Sequence, residues 1–241
     1  MRVRKWIRAR CRGNVGAAEF EPETDNALMT PPSTTGRTTA AGLCLTLGVG
    51  SLPIPVWDHE FADVLHLIVN ELLYWSLVAA VLLYVIKVER RPLSSIGIRR
   101  LSLADAAAGF GVGVATLAGL WLLYAIVLPM LHQSEAQPIN QLRSAPGWWL
   151  AASVIRAGVS EEVLFRGYPI ERLQEWTRRR GIAFGVPLLV FSIAHIGSWG
   201  WTHLLIAGFG GLMLTALYAW RRNLWTNILA HCLVDGLAVL P

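Results

Sequence analysis

The sequence predicts an all-α membrane protein, a bundle of about seven transmembrane helices with its N-terminus in the cytoplasm. Three observations point there. The 241 residues are 54% hydrophobic and only 15% charged, whereas a soluble domain carries about 25% charged residues. The apolar residues come in runs of roughly 17–25, the length that crosses a hydrocarbon core. Lys and Arg fall between those runs, on alternate connections, as expected of cytoplasmic loops.

Residues 1–40 are Arg-rich, then rich in Pro, Ser and Thr, and read as a disordered basic cytoplasmic tail. The basic stretch from Met1 to Arg12 is not followed directly by an apolar segment, which argues against a cleaved signal peptide. The transmembrane bundle occupies 41–241, with spans expected near 41–57, 67–86, 104–128, 147–164, 182–199, 202–220 and 224–240. The first is short and interrupted by Gly48, Gly50, Pro53 and Pro55, so a re-entrant course is its alternative. With seven spans, the tail, the 87–103 loop, the 165–181 stretch and the Arg221-Arg222 turn all fall on one side, while the opposite connections carry Arg143 together with Asp58, Glu60 and Asp63. That side is cytoplasmic. Arg156, inside the fourth span, has no place in this accounting. The net charge of +5 is dealt out in loops, so the expected partner is a lipid bilayer and not nucleic acid. Cys11, Cys44 and Cys232 form neither a disulfide framework nor a metal cluster.

Against this apolar background the polar residues stand out. Asp and Glu at bilayer depth cost several kcal/mol each and mark functional sites. Glu161 and Glu162 are adjacent at the end of the fourth run. Glu162 lies one helical turn before Arg166, the spacing and order of an ion pair. Glu161, about 100° further around the helix, has no such local partner. Phe191 and His195 share a face of the fifth span. On the seventh, Asn223, Asn227, His231 and Asp235 form an i, i+4 polar stripe that must face protein or a wet cavity. Glu161, His195, His231 and Asp235 thus come from three helices and are expected to meet in one chamber. A carboxylate beside imidazoles is a general acid/base device, able to activate a water and steady an oxyanion. If the fourth helix ended at Arg166, Glu161 would lie shallower than His195. The amphipathic stretch Tyr168 to Trp176 predicts instead that this helix continues.

Glu161-Glu162-x-x-x-Arg166-Gly167, Phe191-x-x-x-His195 and His231-x-x-x-Asp235, in that order, resemble the CPBP intramembrane proteases, which include the CAAX-processing prenyl endopeptidases. Phe165-Arg166-Gly167-Tyr168, Asn223-Leu224-Trp225, Arg91-Pro92-Leu93 and Ile96-Gly97-Ile98-Arg99 resemble the same family. The resemblance is densest over 147–241. It implies a multi-pass protein of the cell membrane that hydrolyses a membrane-associated peptide or protein. Glu161 and His195 would activate the water, and His231 and Asp235 would hold the oxyanion. Glu162, Arg166, Phe191 and Asn227 would orient the site. The family often has Asn where this chain has Asp235, an acid that must be protonated, paired with His231, or used to orient it.

A glutamate-dependent mechanism without cofactor is the expectation. Zinc held by Glu161, His195 and His231 is its alternative, since catalytic zinc commonly takes three protein ligands. Two other function classes compete: a catalytically inactive membrane immunity or scaffold protein, and a proton-coupled transporter, for which no internal repeat is visible. His203 reads as interfacial and Arg178-Arg179-Arg180 as topogenic. No prenyl-recognition signature can be read from the residues.

Overall fold

The computed structural model describes residues 36–52, 64–133 and 142–239, and every regular element among them is helical. Most of the expected tail, the acidic connection with Asp58, Glu60 and Asp63, and residues 134–141 lie outside the described residues. Helix α1, Gly36–Leu43, begins ahead of the expected boundary at 41 and runs on through a π turn, Cys44–Gly48, and a 3-10 turn, Val49–Ser51. Leu52 is extended, so the helical part of the first expected span stops there, just before Pro53.

Helices α2, Val64–Leu83, and α3, Leu103–Leu122, are each prolonged by a π turn, Tyr84–Val88 and Leu123–Val127. Then come α4, Gly147–Glu161, and α5, Tyr168–Thr177, followed by α6, Arg180–Trp199, α7, His203–Arg221, and α8, Leu224–Val239. Four helical segments are long and apolar enough to cross a membrane: Val64–Val88, Leu103–Met130, Arg180–Gly197 and His203–Arg221. The expected span at 224–240 is a shorter apolar helix, and the one at 147–164 is the first half of a longer, polar-ended helix. Large apolar side chains cover the outside, among them Leu103, Trp121, Met130 and Leu189. Such a belt is a liability in water and is at home against acyl chains. The chain is an integral membrane protein.

Inside, small residues let the helices that carry polar groups approach one another. A Cβ at Gly109 on α3 would meet the Thr226 carbonyl oxygen of α8 at 2.6 Å, and one at Gly113 would meet Leu233 at 2.9 Å. A Cβ at Gly158 on α4 would meet Cys232 Sγ at 2.5 Å, so Cys232 is a packing residue against that glycine. With no aqueous hydrophobic drive between helices in lipid, such close backbone contact is a main source of association.

The end of the bundle that carries the basic loops is held by ion pairs. Arg172, fully buried, grips Glu89, which also accepts from Tyr168 Oη at 2.8 Å. Arg91 pairs with Glu175 through two hydrogen bonds, Arg221 with Asp105 at 2.6 Å and Arg222 with Glu171 at 2.7 Å. Asp105 also closes a capping box with Ser102 at the start of α3. Four arginines of the basic connections are therefore inter-element partners, a role that a count of loop charge does not reveal.

Candidate active site

The Glu161-Glu162 motif sits where the helix changes pitch. After α4 the chain passes directly into a π turn, Glu162–Gly167, with all six residues buried, and then into α5. The Tyr168 N–H reaches back to the Val163 carbonyl, five residues away. A π turn accommodates Pro169, which has no N–H to give the preceding turn. Such turns recur at functional sites because they re-aim side chains. The helix does continue past Arg166, as the amphipathic stretch predicts. Gly167 makes the fit: a Cβ there would meet the Ile96 carbonyl oxygen at 2.7 Å and Leu224 at 2.6 Å. The Leu224 N–H in turn donates to Gly97 O at 2.8 Å. The 93–97 loop thus braces both the motif helix and the start of α8.

Glu162 is the hub of the buried network. Its Oε1 accepts from Arg166 Nη1 at 2.9 Å and from His231 Nδ1 at 2.8 Å, and its Oε2 accepts from Asn227 Nδ2 at 3.0 Å. Asn227 Nδ2 also donates to Leu214 O at 2.8 Å, tying α8 to α7. An ionised carboxylate only accepts, so His231 Nδ1 carries the hydrogen and Nε2 is turned the other way. That nitrogen lies 3.6 Å from Glu161 Oε2 and 3.4 Å from Asp235 Oδ2. Asp235 is therefore beside His231, the pairing that its acidic character demands.

The two adjacent acids are separated by exposure. The Glu162 side chain is 0% exposed, Glu161 22% and Asp235 35%. Glu162 is consumed by its partners, whereas Glu161 and Asp235 face a cavity of about 300 Å³ that His195 and His231 also line. His195 Nδ1 donates to Phe191 O at 2.7 Å. A carbonyl oxygen only accepts, so Nε2 is the ring's basic nitrogen. Arg166 lies 4.1 Å above the Phe191 ring, and that ring is 4.4 Å from His195, so the cation of the first motif is linked to the histidine of the second. Asn223 departs from the stripe. It caps α8 instead, accepting from Trp225 N at 3.1 Å and donating to Arg100 O at 3.1 Å.

Two features were missed by the linear reading. Arg156, unexplained in the sequence, pairs with Glu71 of α2 at 2.9 Å and lies 4.3 Å over the Tyr74 ring. Glu71, an acid near the start of the second apolar run, was the available signal. His203, read as interfacial, lines the cavity and stacks on His195 with ring centroids 5.7 Å apart.

The zinc alternative needs three side chains gathered around one point. Among the described residues, no group of three or more His, Cys, Asp and Glu side chains is arranged to hold an ion. His195 Nδ1 and His231 Nδ1 are bound to Phe191 O and Glu162, which leaves each ring its Nε2, and Glu161 Oε2 lies 3.6 Å from that of His231. No step below is routed through zinc.

An apolar helical bundle with three histidines and two carboxylates around a cavity defines a membrane protein with a candidate acid/base site. Residues 143–237 match the family described as Type II CAAX prenyl endopeptidase Rce1-like. This segment, about two fifths of the chain, is similar to the CAAX-type membrane proteases of the CPBP family, which are peptidases. No curated protein and no solved structure matches the chain.

Proposed function

We propose that this chain is an intramembrane endopeptidase in which Glu161 and His195 activate a water that cleaves a membrane-associated peptide. The observation that carries this reading is the split of the adjacent acids: Glu162 is fully enclosed by Arg166, Asn227 and His231, while Glu161 faces the cavity with His195. The water gives a proton to Glu161, or to His195 Nε2, as its oxygen adds to the peptide carbonyl carbon. Negative charge then builds on the former carbonyl oxygen. His231 Nε2, when protonated, donates to it, and Asp235, 3.4 Å from that nitrogen, orients the ring. Collapse of the tetrahedral species breaks the C–N bond, and the stored proton goes to the leaving nitrogen. The products are a carboxylic acid and an amine.

A prenylated peptide is the substrate class the family offers, and a quenched fluorescent peptide with a farnesylated cysteine and a free C-terminal carboxylate is the probe. Cleavage by the wild-type chain in liposomes, lost in Glu161→Gln and in His195→Ala, supports the reading. Turnover unchanged in both variants refutes it and favours an inactive scaffold. Activity lost to a membrane-permeant chelator and restored by zinc would sink the glutamate mechanism while leaving the peptidase intact.

The basic end of the bundle, with Arg91, Arg172, Arg221 and Arg222, is assigned to the cytoplasm of a cell membrane. Seven crossings then place the N-terminus inside and the C-terminus outside. A C-terminal reporter active only outside the cytoplasm tests this, and a silent reporter overturns it.

A further inference from the structure

We infer that His203 is a positioning residue for His195, holding its ring so that the basic Nε2 faces the cavity. The inference rests on the proposed role of His195 as a water-activating base.

The geometry begins with the helical repeat. Phe191, His195 and Trp199 recur at intervals of four along α6 and so share one face. Helix α6 ends at Trp199, and Gly200 follows at φ +85 and ψ 175, a conformation that side-chain-bearing residues rarely adopt. The chain then turns through Trp201 and Thr202, and α7 begins at His203. This tight reversal returns an imidazole to the face just left. The His203 ring lies 5.7 Å from His195 at an interplanar angle of 15° and 4.9 Å from Trp199 at 18°. His203 therefore meets the rings of both α6 residues nearly in parallel, and all three line the cavity.

His195 needs this support. Its Nδ1–H donates to Phe191 O, yet in a regular α-helix that carbonyl already accepts the amide hydrogen of residue 195. The shared acceptor alone holds the ring weakly, and the Phe191 contact is tilted at 54°. A parallel ring fixes the imidazole plane, which a shared hydrogen bond does not. Offset stacking between aromatic rings is strong enough to decide between two ring orientations.

The first test uses the full chain in liposomes with the farnesylated quenched peptide. His203→Ala should lower kcat about tenfold with KM within about twofold, because a misoriented base costs turnover and not binding. His203→Phe, which keeps a flat ring, should recover kcat to within about threefold of wild type. His195→Ala with His203→Ala should be no worse than His195→Ala alone, since one residue acts through the other. Wild-type kcat in His203→Ala beside an inactive His195→Ala overturns this inference and leaves the protease reading standing. Multiplicative losses in the double variant also overturn it.

The second test is independent of turnover. Side-chain ¹⁵N NMR of the detergent-solubilised chain should show His195 as a single Nδ1-protonated tautomer in wild type and His203→Phe, and as a mixture of tautomers in His203→Ala. A single tautomer persisting in His203→Ala overturns the inference whether or not the peptide is cut.

Discussion

Replacing Glu162 by Gln should cost far more stability than replacing its neighbour Glu161. Glu162 is fully buried and accepts three hydrogen bonds, from Arg166 Nη1, His231 Nδ1 and Asn227 Nδ2. Gln presents one oxygen and one NH₂ in the same space, so at least one of those donors meets another donor. The negative charge is lost as well, leaving the Arg166 guanidinium, 1% exposed, without its counter-ion. Removing one partner of a buried ion pair costs about 3–5 kcal/mol. In a chain of this size that corresponds to a fall in Tm of about 6–20 °C. Glu161→Gln removes a partly exposed carboxylate that lies 3.6 Å from His231 Nε2, and should shift Tm by no more than about 2 °C. Thermal unfolding of the detergent-solubilised variants, followed by tryptophan fluorescence, measures both. If Glu162→Gln melts within about 2 °C of wild type, the hub assignment is wrong, and equal losses in both variants would show that the two acids are not divided as described.

Three further outcomes follow from the same geometry. Asp235→Asn should keep kcat within about threefold of wild type, because the amide still sits beside His231 without placing charge near the oxyanion, while Asp235→Ala should lose about 10²-fold; equal losses would remove Asp235 from the site. Gly109→Ala should destabilise by about 1–3 kcal/mol by overpacking, since its Cβ meets Thr226 O at 2.6 Å, whereas Gly111→Ala should be silent, with nothing within 4 Å; thermal unfolding of the pair separates the packed face from the open one. Tyr168→Phe should cost about 1–2 kcal/mol, the loss of one hydrogen bond to a charged acceptor, and Arg172→Met about 3–5 kcal/mol by leaving Glu89 buried without its cation; the reverse ranking would refute the Glu89 pairing.

Much of this site can be read along the chain because the informative spacings are local. Residues four apart share a helix face whatever the fold does next, so Glu162 with Arg166, Phe191 with His195 and His231 with Asp235 are legible as pairs. Length and apolarity are local as well, which is why the helical bundle and the long apolar helices α2, α3, α6 and α7 follow from composition and run length. The same logic fails where the helix leaves its regular pitch. Four-residue spacing carries no signal for the π turn at Glu162–Gly167, because that turn depends on Pro169 withholding an N–H and on Gly167 admitting the Ile96 carbonyl. It also overextends the polar stripe to Asn223, which the end of α7 and the start of α8 turn into a cap.

The sequence by itself determined the membrane class, the helical content, the three motifs and the division of Glu162 from Glu161, because each depends on hydrophobicity or on the fixed geometry of one helix. Only the tertiary structure decided what those motifs meet. Arg156 finds Glu71 on a helix some 85 residues away in sequence, Glu162 gathers Asn227 and His231 as well as Arg166, and a turn at Gly200 lays His203 on His195. Such contacts are set by which helices pack together and in what register. No local period encodes that, and in lipid it is decided by close glycine contacts and by buried charges that must find one another.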